Sequence, residues 1–400
     1  MKKDKPFTNT LWEEDNIQEQ RKMNKKKIIV AIILACVLLT IIVIAVMYAT
    51  NENFRNRMDT YVLMKSVQEN NLPYISLDDD KNYEVYAMDQ YIAVLNQNEL
   101  SFYTSTGKKE ATQTVEITTP LVESNGRYMV LADKEKQQIY VFSGTNKQWE
   151  AKLEGNISRV HVNQNGYVAV VLTGTAYKSV IQIYNTEGKQ LFRTYLSKSM
   201  ATDIEISKDS QYLSFVEVDT SGTLLQTYIK TISISKAQEN PDSIIYTYTA
   251  PTNNVSTKIK YQTGNKLVCM YNNEIHVMYE GKDETITTLK DSENKFADIN
   301  LEKHIVKIIE KNVLLSAQTK VEIINIDSKS SSSYTVQGTV KELYTRNDTT
   351  AINLGSEVCF IGNNGWLKKK YTSTQEIKKI IICNNFAGVV YRDKIELINL

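Results

Sequence analysis

From about residue 83 to the C-terminus the chain repeats one pattern: strand, polar turn, strand, loop, strand, turn, strand. First strands begin near positions 83, 119, 157, 202, 255, 304, 340 and 377, so eight units follow one another at about 42 residues each. Within a unit, runs of five to eight residues alternate apolar and polar side chains, are rich in Val, Ile, Tyr and Thr, and are separated by Asn, Gly and Asp. Such runs bury one face as strands, and the separating residues supply the turns. One unit runs from Val160-His161-Val162-Asn163 through Asn165-Gly166 to Val171, then from Val180 to Tyr184 and into Asn185-Thr186-Glu187-Gly188-Lys189. Another carries Ile204 to Val216 around Ser207-Lys208-Asp209-Ser210. The third-strand signature returns at Leu100 to Gly107, Gln138 to Gly144, Ile275 to Gly281, Val321 to Asp327 and Val358 to Asn364. Four strands in roughly 40 to 50 residues make a propeller blade. The expected fold is therefore an all-β propeller of about eight four-stranded blades, or seven if two short units merge.

The last unit supplies three strands, Ile377 to Cys383, Phe386 to Tyr391 and Ile395 to Leu400. Residues Leu72 to Leu77, ahead of the first complete unit, also read as a strand. Placed beside the last three, that strand closes the ring and removes the edge that an open sheet exposes. Only five prolines occur, and after position 70 no amphipathic run of a dozen residues competes with this all-β reading.

Ahead of the repeats, Ile28 to Tyr48 is uncharged and almost wholly Ile, Val, Leu and Ala, long enough for a helix to cross about 30 Å of hydrocarbon. The apolar core of a cleaved signal peptide is shorter, about 7 to 15 residues, and Met47-Tyr48-Ala49 is a poor cleavage site. Lys2, Lys3, Lys5, Arg21, Lys22, Lys25, Lys26 and Lys27 precede the span, whereas Arg55, Arg57 and Lys65 follow it. By the positive-inside rule, the N-terminus is cytoplasmic and the bulk of the chain extracytoplasmic. The expected order is a disordered tail at 1–27 containing Trp12, a transmembrane helix at 28–48, a stalk with a short helix at 49–71, and the propeller at 72–400. Phe54, Met58, Tyr61, Val62 and Met64 give the stalk its helical spacing.

The formal net charge of +1 leaves no basic field to attract phosphates, so nucleic acid is not an expected partner. Basic charge is carried by 39 Lys and 8 Arg, alongside abundant Ile and Asn, a usage associated with AT-rich bacterial genomes. Cys36 lies in the span, while Cys269, Cys359 and Cys383 fall in distant strands; they read as free thiols, with a Cys359–Cys383 pair the alternative. His161, His276 and His304 lie in different units with no ligand spacing, and no GxSxG, phosphate-cradling Gly-rich loop or HExxH is present. His304 would line the channel if it lay on an innermost strand. Asp78-Asp79-Asp80 lacks the Gly and spaced acids of a calcium loop. No catalytic, cofactor-binding or metal-ligating residue is assigned from sequence, and no cofactor is expected. Trp149 and Trp366, the two tryptophans after the span, are too few for the repeated Trp packing of quinone-cofactor propellers.

The segment Ile206 to Phe215 resembles the blade signature of TolB-type and WD-repeat-like propellers, without the Gly-His and Trp-Asp dipeptides of true WD repeats. With the Tyr-Asn-x-x-Gly-Lys turn at Tyr184 to Lys189, the layout from residue 25 onward is similar to a family of uncharacterised single-span proteins of Gram-positive bacteria. That resemblance implies a membrane-tethered extracytoplasmic propeller and hands over no catalytic residues.

Three function classes remain. A non-catalytic scaffold at the cell envelope, binding a protein or polymer ligand, fits a rigid ring with loops on two faces. A transmembrane sensor would signal through the short tail. A hydrolase or lyase of wall polymers would show itself by an acidic or histidine cluster converging at the channel mouth. The candidate partner face carries the loops joining second to third and fourth to first strands, where Thr173 to Lys178, Asp219 to Thr223 and Asp291 to Lys303 add length. Tyr177 is the candidate anchor, with Lys178 and Asp219 as polar neighbours.

Overall fold

A computed structural model describes residues 25–400 except 64, 69–71, 79–81, 242, 253, 295, 314 and 315. The tail expected at 1–27, Trp12 included, and Asp79-Asp80 of the acidic run thus fall wholly or mainly outside the described residues. The chain divides into two units, Met1–Met58 and Asp59–Leu400.

In the first unit one helix, Lys25–Thr50, contains the 25-residue segment Lys26–Thr50, whose most apolar 18 residues have mean hydropathy 3.5, long and apolar enough to cross a membrane by length and composition. A short helix, Glu52–Arg57, follows it. Asn51 caps that helix, its Oδ1 accepting the Phe54 N–H at 3.0 Å.

The second unit is an eight-bladed β-propeller, and the seven-blade alternative is set aside. Its innermost strands are Glu84–Met88, Pro120–Asn125, Asn156–Val162, Ser199–Ile206, Ser256–Tyr261, Ala297–Asp298, Glu342–Arg346 and Lys379–Ile382, and each opens an antiparallel four-stranded blade. Blade 8 is completed from the N-terminal side, as expected from sequence. Tyr74–Ser76 pairs with Lys394–Asn399 in the register Tyr74 to Glu396, Ile75 to Ile395 and Ser76 to Lys394.

Two placements differ from the expectation. The sixth innermost strand is the two-residue Ala297–Asp298, and His304–Val313 is the second strand of that blade. The Ile305-Val306-Lys307-Ile308-Ile309 run after His304 advertises a strand more strongly than Phe296 to Leu301 does, although Ile299 and Leu301 are fully buried. In addition Ser66–Gln68, within the segment read as stalk, pairs in parallel with Leu367–Thr372 on the outer edge of blade 7.

The core is a ring of eight apolar clusters, one between each pair of neighbouring blades. Blades 3 and 4 join through Val171, Ile181, Phe192, Ile204, Ile206 and Phe215. Blades 8 and 1 join through Ile75, Leu77, Val85, Ile92, Ile381 and Ile395. The remaining junctions are built in the same way, so the ring has no open seam.

The turn motifs have a physical basis in this ring. In Tyr184 to Lys189, Asn185 Oδ1 accepts the N–H groups of Glu187 and Lys189, and Gly188 takes φ +80°. A Cβ on Gly188 would lie 2.8 Å from the Trp149 ring of the preceding blade, so glycine is required both by its dihedral and by that stacking.

Candidate functional site

Innermost strands surround a channel, and residues two apart on a strand share its face. Channel-facing positions therefore form tiers: Asp203 and Glu205 on blade 4, Lys258 and Lys260 on blade 5, Tyr344 and Arg346 on blade 7. All eight blades contribute to a channel cavity of about 440 Å³. In His161-Val162-Asn163, Glu205-Ile206-Ser207 and Lys260-Tyr261-Gln262 the middle residue is buried in a junction between blades and the third opens or borders the turn. Asn163 Nδ2 donates to the Ser207 carbonyl at 2.9 Å, and Gln262 Nε2 donates to the Ile299 and His304 carbonyls. Tying the Asn163 and Gln262 turns to the next blade fixes the polar side chain two residues earlier.

Glu123, His161, Glu205 and Lys260, from blades 2 to 5, converge on one wall. His161 Nδ1 lies 2.9 Å from Glu123 Oε1 and 3.4 Å from Glu205 Oε1. Lys260 Nζ lies 3.1 Å from Glu205 Oε1 and 3.9 Å from Glu123 Oε1. His161 is fully buried, and its Nε2 has no hydrogen-bond partner among the described residues. Burial opposes charge on Glu123, yet the imidazole and the lysines hold its carboxyl below the usual carboxylate range. Burial also works against charge on His161 and Lys260, but Glu205 and Glu123 raise both. Burial pushes Asp203 up to about 6 against the hydrogen bond from the Ile259 N–H, with Glu205 and Glu123 adding to the rise.

On the opposite side the cations have no carboxylate partner among the described residues. Arg346 Nη1 donates to the Ala87 carbonyl at 2.9 Å and to Ser124 Oγ at 3.2 Å. Lys379 Nζ donates to the Val85 carbonyl and sits 5.1 Å from the Tyr86 ring centre.

Tyr177, Lys178 and Asp219, the candidates for a partner face, lie at the ends of blades 3 and 4 on the expected side. Tyr177 stacks on Tyr195 with ring centres 4.6 Å apart, so it has its own blade as a neighbour while staying 39% exposed. Lys178 Nζ reaches Thr220 Oγ1 at 3.3 Å, and Asp219 Oδ1 accepts the Ser221 N–H at 2.8 Å. The loops thus meet across the junction. Met200, Leu224 and Leu225, which sequence spacing does not single out, are also exposed here, Leu224 at 73%.

The histidines divide by environment. His304 is on a second strand rather than an innermost one, its Nε2 3.2 Å from Asn325 Nδ2. His276, in blade 5, lies between Asp283 and Glu274. Cys269, Cys359 and Cys383 are buried free thiols, and burial pushes Cys269 and Cys383 up to about 12.

A family profile described as "Family of unknown function (DUF5711)" matches residues 56–400. The chain belongs to that family. No curated protein matches the sequence. Among solved structures, this DUF5711 ring is similar to the C-terminal WD40 domain of Sif2, at 13% identity over 82% of this chain and 98% of that one, with a TM-score of 0.56. It is also similar to Sqt1 of Chaetomium thermophilum, bound to the N-terminus of the ribosomal protein L10, at 8% identity over 84% and 100% of the two chains and a TM-score of 0.52. BamB of Moraxella catarrhalis matches at 10% identity over 82% and 96%, with a TM-score of 0.49. At these identities the likeness is one of fold.

Proposed function

We propose that this protein is a membrane-anchored, extracytoplasmic scaffold that binds an envelope protein or polymer on the face formed by the ends of blades 3 and 4. The carrying observation is the group of exposed large apolar side chains there, Tyr177, Tyr195, Met200, Leu224 and Leu225, beside Lys178 and Asp219. Apolar anchors bordered by polar groups are the composition of a binding patch. Anchoring is supported by the Lys26–Thr50 segment and by the lysines ahead of it. Sqt1 shows that a ring of this architecture can hold a protein segment. The test is crosslinking in the native membrane with the Tyr177→Ala, Asp219→Ala double variant. Yield of the crosslinked partner should fall at least about fivefold while the melting curve is kept, and an unchanged yield would remove this face from consideration.

One observation favours a second reading, cleavage of a wall polymer. Asp203 and Glu123 both line the channel cavity, where burial raises Asp203 to about 6 while His161 and the lysines lower Glu123, the divergence expected of an acid and a base sharing a site. That reading requires wall-polymer fragments to be released by the wild type and not by Asp203→Asn.

A further inference from the structure

We propose that Glu123, His161 and Glu205 form a binding site for one divalent transition-metal ion of the zinc or manganese class, which would tie blades 2, 3 and 4 together at the channel wall. One imidazole nitrogen and two carboxylate oxygens suit these ions, whereas calcium and magnesium take oxygen alone. The three donor atoms lie within 4.8 Å of one another. With bonds of about 2.0 to 2.2 Å, neighbouring donors stand roughly 3.0 Å apart in an octahedron and roughly 3.4 Å apart in a tetrahedron. Separations of 2.9 and 3.4 Å from His161 Nδ1 to the two glutamates already have these lengths.

The histidine carries the geometry. It is fully buried and turns Nδ1 toward both carboxylates, so a buried imidazole nitrogen and two carboxylate oxygens from three blades face one point. Access is open as well, since the Glu123 side chain is 30% exposed and lines the channel with Glu205.

Lys260 is the rival counter-ion, because its ammonium sits on the same two oxygens. To admit the ion it must swing toward the channel, where Asp203 lies. Lysine and metal therefore compete, and the affinity of the site is set by that competition.

The test is equilibrium dialysis of the full-length, detergent-solubilised protein, stripped with chelator, against zinc and manganese separately, with bound metal counted by mass spectrometry. We expect one ion per chain, at least about tenfold weaker binding in His161→Gln and in Glu205→Gln, and unchanged binding in His276→Gln. Lys260→Met should bind at least about tenfold more tightly, a gain that misfolding cannot imitate. Failure of both ions to bind the wild type overturns the site. So does equal binding by wild type and His161→Gln, which would mean an adventitious ion only, or no gain in Lys260→Met.

Discussion

At the residue scale, the side chains the ring most depends on are those whose neighbours come from another blade. The Tyr184 to Lys189 motif was legible in the sequence because Asn185 and the φ of Gly188 act through their own turn, whereas the close approach of Gly188 to Trp149 of the preceding blade was not. The Glu123, His161 and Glu205 cluster was not, because its members come from three blades and meet only after the ring closes. The available signal was the recurrence of a polar residue, an apolar residue and a turn-forming residue at His161, Glu205 and Lys260. His276 lends itself to a test at this scale. Burial lowers its pKa, but Asp283 at 2.8 Å and Glu274 at 3.1 Å outweigh that and raise it above 6.5. A raised folded-state value means the imidazolium's stabilisation is fully present below about pH 6.5 and is lost as pH rises through the folded value. The stability difference between wild type and His276→Gln, read from urea midpoints, should therefore be larger at about pH 5.5 than at about pH 9. A difference independent of pH would show that the ion pairs contribute nothing.

At the element scale, alternation identified the strands and the period identified the blades, and the misplaced sixth unit shows where that logic stops. Ala297–Asp298 pairs for only two residues, and its flanks stay in place through buried Ile299 and Leu301 rather than through a ladder. Tertiary packing there does what propensity does elsewhere. Ser66–Gln68 escaped notice for the related reason that three residues are too short to show a period. The closing strand is legible and testable. Ile75 is 2% exposed in the junction of blades 8 and 1, whereas Ser76 beside it is exposed. Ile75→Ala should cost about 2 to 4 kcal/mol in denaturant unfolding and Ser76→Ala under about 0.5 kcal/mol. Equal small effects would show that the strand is a passive addition to a ring already closed without it.

At the scale of the whole molecule, eight junction cores make a closed ring whose connections are turns, loops and the short helices Ile234–Ala237 and Asp291–Asn294, so variation in loop length does not disturb the scaffold. Chemistry is concentrated on two surfaces. The channel wall gathers buried charge, and the ends of blades 3 and 4 gather exposed apolar side chains. The second surface was approachable from sequence because the added lengths at Thr173 to Lys178 and Asp219 to Thr223 are visible as spacing, although Leu224 and Leu225 become conspicuous only once their exposure is known. The proposed role as a scaffold requires this face to be the one that meets a partner. The most direct measurement places a photoreactive amino acid at position 177, and in a separate variant at Glu187 in the turn between the third and fourth strands of blade 3, in cells carrying the full-length protein. Position 177 should give a discrete crosslinked species and position 187 none. Crosslinking at 187 alone, or equally at both, would contradict the assignment of the binding face.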